Sequence, residues 1–124
     1  MFYVESPQIL SQKTYRINEF ETGTLKCEVS GYPRVVFKWQ FGSKPGKVKL
    51  LQERDSIGRF SVSRTTYDSE SEYGESRFYV SNLRQRDWGL YKCIAENEAG
   101  YAEKNISLEG QGRLSIFISY LLII

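Results

Sequence analysis

Two cysteines, Cys27 and Cys93, stand 66 positions apart in a chain of 124 residues that contains no histidine. Two thiols without imidazole partners cannot complete a tetrahedral zinc site, which takes four nitrogen or sulfur ligands. A single disulfide is the economical alternative, since two cysteines allow one intramolecular connectivity. The missing histidine also removes the commonest general base, and with it a nucleophile–histidine triad. No nucleophile elbow and no glycine-rich phosphate loop takes its place, so no catalysis and no cofactor are expected.

Around those cysteines the sequence alternates rather than following a helical period. "TLKCEVS" (24–30) puts Leu25, Cys27 and Val29 on one side and Lys26, Glu28 and Ser30 on the other. "RVVFKWQF" (34–41) does the same with Val35, Phe37, Trp39 and Phe41, and "GLYKCIAE" (89–96) with Tyr91, Cys93 and Ala95. A period of two with one apolar face marks half-buried strands. Shorter runs at "VKLLQ" (48–52), "RFSVS" (59–63), "SRFYVSNL" (76–83) and "YAEKNISL" (101–108) sit between turn signals such as "GYP", "GSKPG" and "NEAG". "SPQIL" and "KTYRI" supply a first strand in two pieces, and the stretch from 64 to Glu75 reads as polar connection. Eight or so short strands with an aromatic share of 15% point to an all-β sandwich. In the last run Lys104 falls on the apolar side, which calls for a bulge or a position at the end of the sandwich.

Read together, the spacings are more specific. Trp39 lies twelve residues after Cys27, and Asp87-x-Gly89-x-Tyr91-x-Cys93 ends on the second cysteine. This constellation resembles the immunoglobulin domain, over residues 5–109. "CIAENEAGYAEKNISL" is similar to the intermediate set of that family, and "NLRQRDWGLYKCIAENEAGYAEKNISL" (82–108) resembles the third domain of lachesin-type neuronal surface proteins of invertebrates. The resemblance implies a Greek-key sandwich of two sheets, bridged by a Cys27–Cys93 disulfide with Trp39 packed on it. It further implies that Tyr91 and Gly89 build a tight corner, that Leu83 closes it, and that Asp87 pairs with Arg59. These residues then have structural roles.

Two features stand outside that frame. Trp88 follows Asp87 where the family usually carries something small or polar; it either packs on a neighbouring loop or serves as a partner-binding anchor. "NIS" at 105–107 is an N-x-S sequon whose Asn105 alternates away from Ile106 and so faces solvent, a candidate glycosylation site. The sheet made from the strands at 34–41, 48–52, 89–96 and 101–108 is expected to present Lys38, Gln40, Lys49, Lys92, Ile94, Glu96, Tyr101 and Glu103. Lys38, Gln40, Lys92, Tyr101 and Trp88 are therefore the candidate partner contacts.

The resemblance implies an extracellular protein-recognition module of an adhesion molecule or receptor, its partner the same or another immunoglobulin-superfamily surface protein. The alternative is an intracellular structural module of a muscle or cytoskeletal protein, with its thiols reduced. The net charge of +2, from 17 basic and 15 acidic residues intermixed, leaves no footprint for nucleic acid. Lys44, Lys47 and Lys49 on one side, and Asp68, Glu70, Glu72 and Glu75 on the other, read as solvated loops. "MFYVESPQIL" lacks the pattern of a signal peptide, so an extracellular domain with this start is expected to be a fragment. Residues 1–4 form a lead. Residues 110–124, ending in the apolar "LSIFISYLLII", read as a tail outside the sandwich: a truncated span, an anchor signal or foreign sequence. Membrane association is expected only through that tail or a parent chain.

Overall fold

The computed structural model describes residues 3–42 and 48–110. Among the described residues eleven strands run in chain order: β1 (Glu5–Ile9), β2 (Thr14–Ile17), β3 (Gly23–Tyr32), β4 (Val36–Phe41), β5 (Lys49–Gln52), β6 (Ser56–Ile57), β7 (Phe60–Val62), β8 (Thr66–Tyr67), β9 (Tyr73–Val80), β10 (Gly89–Asn97) and β11 (Gly100–Gly110). They form two sheets. The first has the order β1-β3-β9-β7-β6, with β8 also on β9, and the second β2-β11-β10-β4-β5. All pairings are antiparallel except that of β11 with β2. The chain crosses between sheets after β1, β2, β3, β5 and β9, which gives the Greek-key sandwich expected from the sequence.

The core lies between the sheets and consists of the alternating residues read from the sequence. Leu25, Cys27 and Val29 of β3, Phe78 and Val80 of β9, Trp39 of β4, Cys93 and Ala95 of β10, and Ile106 and Leu108 of β11 are fully enclosed. Phe41, Phe60, Phe78 and Tyr91 form a connected aromatic cluster, their ring centroids 4.6–6.1 Å apart. Offset and tilted rings at these separations contribute beyond the area they bury.

Two links tie the sheets together at one level. Cys27 on β3 is bonded to Cys93 on β10, and by the chain-entropy argument a loop of this length gives about 4 kcal/mol of stabilisation. Beside it the Trp39 indole Nε1 donates to Ser76 Oγ at 2.8 Å. Ser76 is the cross-strand partner of Cys27, and Trp39 that of Cys93. Disulfide and hydrogen bond thus join the same two registers. Ser76, a lone serine on an apolar face, carries no signal of this role in the sequence.

Four expectations are corrected. The polar stretch up to Glu75 holds β8 and the start of β9; Tyr67 anchors it, its hydroxyl donating to the Val35 carbonyl at 2.7 Å. Serines, glutamates and threonines on the solvent side had hidden that alternation. Lys104 has neither a bulge nor a position at the sandwich end, because β10 and β11 pair without a register shift from Gly89↔Leu108 to Asn97↔Gly100 and Lys104 lies opposite Cys93 in the middle of that ladder. Its ammonium instead donates to the Ser11 carbonyl, where the chain passes between β1 and β2. Lys49 is out of phase by one residue: it pairs with inward-facing Phe41 and lines a cleft at the sandwich end, and Leu50 takes the outward place beside Gln40. Finally, β11 continues through Gly110, which pairs with Ile17, one residue past the expected boundary. Lys44, Lys47 and residues 111–124 lie outside the described residues.

Replacing Ser76 by Ala strands a buried indole N–H, and we expect a cost of about 2 kcal/mol in urea unfolding. In a Trp39→Phe background, which has no N–H to satisfy, the same change should cost much less.

Candidate functional site

The stretch before β10 is built around one carboxylate. A 3-10 turn over Gln85–Asp87 brings the chain from the first sheet to the second. Asp87 ends this turn with its side chain 3% exposed, and Arg59 reaches it from the start of β7 with both guanidinium arms, at 2.7 and 2.8 Å. The Arg84 backbone N–H donates to the same carboxylate at 2.8 Å. The Asp87 backbone carbonyl accepts the Tyr91 hydroxyl at 2.6 Å. Burial alone pushes the Asp87 carboxyl up, but the Arg59 and Arg84 donors outweigh it and hold the group below the ordinary carboxylate value. Tyr91 is shifted strongly upward, first by burial and then by the Asp87 charge. Its phenol therefore stays neutral and serves as a donor.

Gly89 follows at φ 141°, and a β-carbon there would touch nothing within 4 Å, so its backbone angle and not space calls for glycine. Leu83 is fully buried, its backbone paired with Glu21 and Phe20. These contacts satisfy the local polar groups internally. The acid and the phenol are occupied in holding the corner.

Trp88 is half-buried and packs against the edge of the core. Its ring lies over Gly110, where a β-carbon would come within 2.8 Å of Cζ2. The indole thus clasps the end of β11. No local pattern in the sequence joins residues 88 and 110.

The second sheet offers the flat surface that the sequence reading placed there. Its outward residues form rows across the strands. Gln52, Lys38, Ile94 and Glu103 make one row, Leu50, Gln40, Lys92 and Asn105 the next, and Val36, Glu96 and Tyr101 a third. Lys38 lies 3.5 Å from Glu96 and Lys92 3.6 Å from Glu103, so the charges on the face are largely compensated. Exposed pairs of this kind add little stability. Tyr101 is 67% exposed and Leu50 50%, and Val36 in the Tyr101 row and Leu90 before Lys92 are exposed on the same face. Such a surface suits a modest polar contact with an aromatic anchor. Among the described residues there is no cluster of acidic or thiol groups able to hold a metal ion.

A two-sheet sandwich closed by an inter-sheet disulfide, a buried tryptophan and a tyrosine corner defines an immunoglobulin-like module. Residues 6–97 match the immunoglobulin domain family profile, and the chain belongs to that family. It is 30% identical over 106 residues to human neural cell adhesion molecule L1, covering 80% of this chain and 7% of that protein. It is likewise 34% identical over 88 residues to a titin homolog of Caenorhabditis elegans, 71% of this chain and, to the nearest percent, 0% of that protein. A solved complex of Dpr2 Ig1-Ig2 with DIP-Theta Ig1-Ig3 superposes with a TM-score of 0.66 at 22% identity, over 86% of this chain and 33% of that one. The chain therefore spans a small fraction of its relatives' length.

Two outcomes follow for the corner. The Asp87 carboxylate is held more tightly in the folded state than in the unfolded chain. Its contribution is complete above roughly pH 5 and disappears as the pH falls below the unfolded value of about 3.9 and through the lower folded one. Arg59→Ala should cost about 3 kcal/mol near neutrality, the low end for breaking such a pair because Arg59 is 26% exposed. The gap to the parent chain should narrow as urea titrations move from pH 7 to pH 3. Trp88→Ala should lower stability by about 2 kcal/mol, a half-buried version of a core truncation, measured by the same unfolding.

Proposed function

We propose that this chain is an extracellular protein-recognition module of a cell-adhesion molecule or receptor, one of several tandem immunoglobulin domains, with no catalysis of its own. Its partner is a protein, the same or another immunoglobulin-superfamily surface protein, met across the outer face of the second sheet. The observation that carries the reading is that face: flat, charge-compensated and punctuated by Tyr101 and Leu50, with Lys38, Gln40 and Lys92 between them. Burying a Tyr ring at low entropic cost while leaving paired charges at the rim is how modest protein interfaces gain affinity. The likeness to L1, by name an adhesion molecule, and to a chain solved in a complex between two sets of Ig domains supports it. The resemblance to lachesin-type neuronal surface proteins belongs to the same proposal. Trp88, clasped over Gly110, is the weakest of the candidate contacts.

A second reading is favoured by the likeness to the titin homolog: an intracellular structural link with Cys27 and Cys93 reduced. The two differ in a measurable way. On protein taken from its native source and unfolded in denaturant, thiol alkylation followed by mass measurement should leave Cys27 and Cys93 unmodified until a reductant is added. Alkylation of both without reductant would sink the extracellular reading in favour of the structural link.

A further inference from the structure

The sequon and the recognition face occupy the same ground. Asn105 is the fourth member of the row Leu50–Gln40–Lys92–Asn105, exposed and on the outward side of β11. Ile106 between it and Ser107 is not proline and is buried in the core, so the strand itself turns Asn105 to solvent. We propose that Asn105 carries an N-linked glycan that closes the β10–β11 side of this face and confines protein contact to its remaining edge. The inference rests on the extracellular reading above and names what regulates the surface.

The modification asks for an acceptor amide and a donor. A lipid pyrophosphate-linked oligosaccharide supplies the sugar: its C1–O bond to phosphate breaks, a C1–Nδ2 bond to Asn105 forms, and the amide gives up one proton. The lipid pyrophosphate leaves. Nothing in the folded sheet obstructs the product, since the residue stands on a flat, exposed strand.

Strand geometry sets what the sugar covers. Neighbouring strands lie about 4.8 Å apart and residues rise about 3.4 Å along each, so Lys92 is about 5 Å from Asn105. Gln40 is about 10 Å away, Lys38 about 12 Å, Leu50 about 14 Å and Tyr101 about 14 Å by the same spacing. The first sugars of a glycan therefore stand over Lys92 and leave Tyr101, Lys38 and Leu50 clear. The open ground is a bent strip that runs from Tyr101 past Glu96 to Lys38 and on to Leu50. A partner that fits the whole face in a bacterial preparation would be rejected by the glycosylated protein.

Lys38 and Lys92 make an internal comparison, because their side chains are 33% and 32% exposed and each faces one glutamate. The full chain from its native source is treated with the amidase that removes N-glycans, which converts an occupied Asn105 to Asp. Peptide mass spectrometry then reads residue 105 and the two cysteines in one sample. Glycosylated and enzyme-treated protein are next labelled with a bulky amine-reactive polymer. Conversion at residue 105, with a several-fold faster labelling of Lys92 after treatment and no change at Lys38, is the expected result. Oxidised cysteines with an unmodified Asn105 overturn this inference alone; free cysteines with an unmodified Asn105 overturn the extracellular reading as well. A glycan whose removal leaves Lys92 labelling unchanged also overturns the shielding.

Discussion

The rest of this structure depends on one level in the sandwich where two different bonds cross between the sheets. Cys27 is joined to Cys93, and Trp39 donates to Ser76, while Cys27 sits opposite Ser76 in one sheet and Cys93 opposite Trp39 in the other. A slip of one residue in either ladder would turn every side chain of that strand to the wrong face. It would also break whichever of the two links that strand carries. The covalent bond acts largely by restricting the unfolded chain. The hydrogen bond acts in the folded state, where an unpaired indole N–H in a dry core is costly. Neither could substitute for the other.

From that level the corner before β10 carries the alignment to the surface. Asp87 accepts from Arg59 on the first sheet, while its own carbonyl takes the Tyr91 hydroxyl on the second. The pair is worth less as attraction than as constraint, because desolvation offsets much of a buried pair's Coulomb energy. What it secures is the phase of β10. With Tyr91 inward, Lys92, Ile94 and Glu96 must point out, and the rows of the second sheet follow.

How much of this could be read from the chain divides along the same physical line. Wherever a strand has one dry face and one wet face, the alternation was visible: Leu25-Cys27-Val29, Phe37-Trp39-Phe41 and Tyr91-Cys93-Ala95 all lie where a period of two places them. The signal failed where a residue's role depends on something distant in sequence. Ser76 is explained by an indole 37 positions away, Lys104 by the carbonyl of Ser11, and Trp88 by the missing β-carbon of Gly110. Lys49 and Leu50 were misphased for a local reason, a four-residue strand with leucines at both 50 and 51, where alternation cannot choose the inner one. Pairing with β4 chose Leu51, which faces the core beside Trp39. For the candidate site, Lys38, Gln40, Lys92 and Tyr101 were placed on one face by the same alternation that built the core, whereas Leu50 was missed.

The same division bears on function. Disulfide, tryptophan and tyrosine corner are demands of the sandwich, and a fold does not by itself specify what it binds. An adhesion molecule and a titin homolog are both similar to this chain. The outward positions are the free variables, since surface substitutions away from caps and buried pairs change stability by about half a kcal/mol or less. On the second sheet those positions hold Tyr101, Leu50 and Asn105 within one flat field. Stability places few demands on any of the three. Specificity on such a field is a difference of affinities, achieved as readily by excluding partners as by attracting them. An asparagine that can take a bulky sugar and, four residues away on the same strand, a tyrosine that can anchor a partner supply both terms on one sheet, without altering a single residue of the core.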